Sequence, residues 1–149
     1  METATAPKSA GKILVIDDNL IIQRAVHFAL RDQGYQVLAA SDISEGINII
    51  RQGSPDLILL DLSFPLDTAS IGNLHQDGFY FIDWLGRTPG IAQPPVIIIS
   101  STDPASYREP AAAAGVKACL QKPLNKETLL AAIRSVLGDP GPAKPPGGR

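Results

Sequence analysis

Five short, almost wholly apolar runs punctuate the chain: KILVI (12–16), YQVLAA (35–40), DLILL (56–60), PVIII (95–99) and ACLQ (118–121). They are rich in Val, Ile and Leu and show little polar alternation. Strands buried on both faces have this composition, because neither side needs to face water. Between the runs, apolar residues recur at helical spacing. Across 20–32, Ile22, Val26, Ala29 and Leu30 fall on one face, and across 43–51 so do Ile43, Ile47 and Ile50. The same reasoning predicts helices over 78–86, about 104–114, and 126–137, the last with Asn125 as its N-cap.

Strand followed by helix, repeated five times, predicts a parallel sheet with helices on both faces. Right-handed crossovers leave few ways to order the strands. A flavodoxin-like doubly wound α/β fold, strand order 2-1-3-4-5, is expected in preference to a half-Rossmann order. It opens a crevice at the carboxyl ends of strands 1 and 3, where ligand chemistry belongs. The expected domain is 12–137. Residues 1–11 are small and polar, and 138–149 are mostly Pro and Gly, so both are expected to be disordered tails.

Composition narrows the function classes. Of the 149 residues, 44% are hydrophobic and 19% charged, a globular balance. A net charge of −2 without a Lys/Arg stripe argues against a nucleic-acid surface. One cysteine, Cys119, excludes an internal disulfide and suits a reducing cytosol. No apolar stretch has the length of a membrane span, and the N-terminus lacks a signal-peptide apolar region. The expected location is cytoplasmic.

The polar residues just past the strand ends carry the candidate chemistry. Asp17 and Asp18 follow strand 1, Asp61 follows strand 3, Ser100 and Ser101 follow strand 4, and Lys122 and Pro123 follow strand 5. All open onto the same rim of the expected sheet. Carboxylates that close repel, at about 4 kcal/mol for a pair ~4 Å apart at an effective dielectric of 20. A hard divalent cation offsets that, and oxygen-only ligands suit Mg2+. One carboxylate can then act as nucleophile toward a phosphoryl group, with Lys122 and a Ser100 hydroxyl neutralising charge on the transferring oxygens.

From about Lys12 to Leu137 the chain resembles response-regulator receiver domains. The features that carry the likeness are IDD (16–18), an LLDL run with Pro65 four residues after Asp61, VIIISS (96–101), and KP (122–123). The resemblance implies that Asp61 accepts phosphate from a phosphohistidine on a histidine kinase or phosphotransfer protein. It implies that Asp18 and Asp61 ligate Mg2+, with Asp17 contributing through water and the Ser63 backbone carbonyl as a further ligand. Ser100 becomes the switch hydroxyl, Lys122 the phosphate contact, and the Lys122–Pro123 bond is cis. The domain modifies only itself and is not an enzyme in the ordinary sense. With nothing after Leu137 able to form an output domain, signalling is expected through contact with a downstream protein or through a relay.

Plainer readings stand beside these. Asp17 and Asp18 suit a helix N-terminus, Ser101 suits packing, and His27, His75 and Trp84 suit surface or packing roles. Three departures from the family pattern matter. Eleven residues separate Pro65 from Asp77-Gly78; the extended 66–76 loop either gates the site or is a tolerated insertion. Cys119 stands three residues before Lys122, where the family has Tyr or Phe, so switching through an inward-swinging ring is in question. Pro110 is expected to break or kink the fourth helix, leaving it short. The rival functions are a phosphorylation-independent scaffold and a true enzyme. A haloacid-dehalogenase-type phosphatase needs a second Asp where Ser63 stands, and no GxxxxGK[ST] phosphate loop is present.

Overall fold

Alternation hidden inside the apolar runs builds two cores. In the computed structural model, which describes residues 11–62, 76–91 and 93–138, β1 (Gly11–Ile16), β2 (Tyr35–Ala40), β3 (Leu57–Asp61), β4 (Val96–Ser100) and β5 (Ala118–Gln121) pair in parallel, in the order β2-β1-β3-β4-β5. Successive side chains leave opposite faces of a strand. Ile13, Val15, Leu57, Leu59, Ile97 and Ile99 therefore face α1 (Leu20–Arg31) and α5 (Lys126–Leu137), meeting Val26, Leu30, Leu129, Leu130 and Ile133. Leu14, Ile16, Ile58, Leu60 and Val96 face α2 (Ile43–Gly53) and α3 (Gln76–Arg87), meeting Ile50, Phe81, Ile82 and Leu85. The flavodoxin-like order and the helices on both faces are as expected.

Local chemistry sets the helix ends. The Asn19 carboxamide accepts the Ile21 N–H at 2.8 Å, and Asp42 accepts the Glu45 N–H at 2.8 Å. Asn125, the expected N-cap of α5, accepts the Thr128 N–H at 3.0 Å. Such caps satisfy amides that have no partner within the helix. Gly46 lets α2 lie close on β1: a Cβ there would sit 2.6 Å from Ile16 Cδ1. Trp84 packs on Phe81 and under the Arg51 guanidinium, as its packing reading required.

Two expectations need correcting. β1 already includes Gly11, which was assigned to the N-terminal tail. The expected helix over 104–114 divides into a 3-10 turn (Pro104–Ser106) and α4 (Arg108–Ala113). Pro110 is thus the third residue of α4 rather than an interior breaker. Its missing N–H falls in the first turn, where no helical carbonyl awaits it. The helix is short, as expected. Residues 1–10, 139–149 and most of the 66–76 loop, with His75, lie outside the described residues.

Candidate functional site

Strand register brings the polar tips together. Ile16 pairs with Leu60, Asp61 with Ile99, and Ser100 with Gln121. One residue beyond the first and last of these pairs stand Asp17 and Lys122, so the tips of β1, β3, β4 and β5 share one rim. The main chain continues the ladder just past the strands. Asp17 N–H donates to the Ala40 carbonyl at 3.0 Å, and Lys122 N–H to the Ser100 carbonyl at 2.8 Å. The Lys122–Pro123 peptide is cis.

The side chains converge. Lys122 Nζ lies 2.8 Å from Asp17 Oδ2 and 3.3 Å from Asp61 Oδ1. Asp17, Asp61 and Ser100 are the buried polar residues among those described, while Asp18 is exposed. Burial alone would pull the Lys122 ammonium toward deprotonation. The hydrogen bond to Asp17 and the charge of Asp61 outweigh it and hold its pKa above the ordinary value. One ammonium faces three carboxylates, so the rim stays negative.

Asp17, Asp18 and Asp61 each place an oxygen within 4.8 Å of the others, a separation that one metal ion can bridge. The donors are all hard oxygens, and exposed Asp18 leaves one side open to water. That set fits Mg2+, which keeps several waters and takes one or two carboxylates. Ser63, the remaining expected ligand, lies outside the described residues. Ser101 is exposed and apart from the buried group.

Three supporting residues escaped the sequence reading. Gln23 Nε2 donates to the Asp17 carbonyl at 2.7 Å and to Ser41 Oγ at 3.3 Å, tying the acidic loop to α1. Thr102 N–H donates to Ser100 Oγ at 3.0 Å. Tyr107 is buried and hydrogen-bonds to the Ser100 side chain. Gln23 sits one turn after the Asn19 cap, a weak signal. Tyr107 precedes buried Ala111 by four residues, which marks the inner face of α4. Cys119 is half-buried, and burial pushes its thiol pKa up against the opposing pull of Arg108, the reverse of a reactive thiol.

Comparison with known proteins agrees with this geometry. The sequence model of the response regulator receiver domain matches residues 13–134. Protein PilH of Pseudomonas aeruginosa is 29% identical over 127 residues, covering 85% of this chain and 98% of PilH. The transcriptional regulatory protein KdpE of Mycobacterium tuberculosis is 32% identical over 84% of this chain, which spans 50% of KdpE. Among solved structures, the chemotaxis protein CheY4 of Vibrio cholerae superposes with a TM-score of 0.71 at 27% identity, over 84% of this chain and 97% of that one.

Proposed function

Since the chain belongs to the response regulator receiver domain family, we propose that it accepts a phosphoryl group onto Asp61 from a phosphohistidine of a histidine kinase or phosphotransfer protein, with Mg2+ bound. The observation that carries this reading is the buried Asp61 carboxylate, held 3.3 Å from Lys122 inside an acidic cluster that suits a cation. Receiver domains are signalling proteins rather than ordinary enzymes. The switch unit we assign is 12–137.

In the proposed reaction an Asp61 oxygen attacks phosphorus in line. The new O–P bond gives an acyl phosphate as the N–P bond breaks and the electron pair returns to the leaving imidazole. Asp17, Asp18 and Asp61, with the Ser63 carbonyl, would hold Mg2+, which when bound neutralises charge on the phosphoryl oxygens. Lys122 contributes a second positive charge, and Ser100 donates a hydrogen bond from β4. Asp17 spends one oxygen on the Asn19 N–H at 2.8 Å and the other on Lys122, which fixes both groups. Exposed Leu20 and Ile21 on the first turn of α1, beside the acidic pair, offer a partner an apolar foothold.

Intact-mass measurement with Mg2+ and a small phosphodonor tests the reading. The expected result is a base-labile adduct of one phosphoryl group, absent in Asp61→Asn. The same adduct on Asp61→Asn would remove Asp61 from the mechanism. No adduct on the wild type would favour the scaffold reading.

A further inference from the structure

Tyr107 joins the 3-10 turn to α4 and is 1% exposed. Its ring lies among Leu62, Ile98 and Ala111, with Phe79, Val116 and Cys119 at the edges. Its hydroxyl bonds to Ser100, whose Oγ also takes the Thr102 N–H. Volumes here are matched. Cys119, beside Ile98 in the β4–β5 register, is small where Tyr107 is large. A ring at 119 would compete for the space that the Tyr107 ring fills. Tyr107 is also the chief anchor of its segment. No residue of the 3-10 turn is buried, and within α4 only Ala111 is. A six-residue helix has little stability of its own, so its position follows that anchor.

We propose that Tyr107 is a positioning residue that couples the Ser100 hydroxyl to the 104–114 segment, whose packing thereby reports whether Ser100 has turned toward a phosphoryl group on Asp61. The inference rests on the phosphoacceptor reading above. Ser100 carries one hydroxyl proton, aimed by rotation. When it donates to a phosphoryl oxygen, it stops serving Thr102 and Tyr107. A buried phenol without a partner is costly. Tyr107 therefore shifts toward a new partner or toward water, and the turn and α4 move with it. Signal leaves through the aromatic of the α4 segment, and Cys119 of β5 leaves room for it.

Hydrogen exchange of amides 104–114 tests this in the full chain, with and without Mg2+ and beryllofluoride as an unreactive phosphoryl mimic. Fluorine NMR reports binding of the mimic independently. Wild type is expected to exchange several-fold faster across 104–114 once the mimic binds. Tyr107→Phe keeps the ring and loses the hydroxyl. It is expected to bind the mimic while its 104–114 exchange stays unchanged, and Ser100→Ala is expected to uncouple the segment likewise. A wild-type-like response in either variant overturns the proposal, as does mimic binding to the wild type with no change at 104–114. Absence of the bound fluorine signal in wild type would instead bring down the phosphoacceptor reading, and this inference with it.

Discussion

The middles of β1, β3 and β4 and their carboxyl tips are equally buried and chemically opposite. Ile13–Ile16, Leu57–Leu60 and Ile97–Ile99 are 0% exposed; one residue further on, Asp17 and Ser100 are 0% exposed and Asp61 is 2% exposed. In the middles, burial is itself the stabilising event, at roughly 25 cal/mol per Å² of apolar surface. At the tips, burial costs free energy, and only partners offset it. Lys122 is one such partner for two buried carboxylates, with a third carboxylate nearby. The sheet interior is thus built for stability, and its rim is left short of positive charge.

The largest expected effect lies in the interior. Leu59→Ala removes a fully buried side chain from the core between the sheet and α1 and α5. It is expected to cost about 2–5 kcal/mol in urea unfolding. A loss well under 1 kcal/mol would mean that the two faces are not packed as described.

Asp61→Asn, two residues along the same strand, is expected to have the opposite sign. It removes one of three clustered carboxylates. It also removes an attraction to Lys122, so the gain is modest, about 1 kcal/mol in Mg2+-free buffer. Added Mg2+ should stabilise the wild type more than the variant, because the folded wild type has the fuller ligand set. If Asp61→Asn were as damaging as Leu59→Ala, the rim would not be under electrostatic strain and the contrast would collapse.

The two regions were not equally legible in the sequence. Apolar runs followed by Asp17, Asp61 and Ser100 announce both a parallel sheet and a polar rim, because strand order alone carries those residues to one end. Which core each strand residue joins was not legible, since an apolar residue on either face looks the same. Pro110 was misread because its effect depends on where the helix begins, and Arg108 rather than Pro104 begins it. Tyr107 was overlooked for a related reason. Its burial arises from the volume left by Cys119 and from the Ser100 hydroxyl, which are distant in the chain and meet only after folding.

The smallest expected effect separates the regions by pH. Tyr107 is pushed up to about 12 from 10.0, first by burial, then by the charges of Cys119 and Asp103, against the Ser100 hydrogen bond. Cys119 is raised from 9.0 by burial. Lys122 is raised from 10.5 because its carboxylate partners outweigh burial. Each group holds its proton more tightly folded than unfolded. The stability this gives is complete below the unfolded values and is lost as pH climbs through the folded ones. Urea-unfolding free energy should therefore decline from about pH 9 upward, with Cys119 contributing first and Tyr107 and Lys122 after it. Tyr107→Phe should flatten the decline above pH 10, the ordinary value of the phenol it removes. Leu59→Ala should lower the whole curve and leave its slope alone, because the interior has nothing to titrate. An unchanged slope in Tyr107→Phe would mean that the phenol is already wet in the folded protein, and the link between Ser100 and α4 would lose its physical basis.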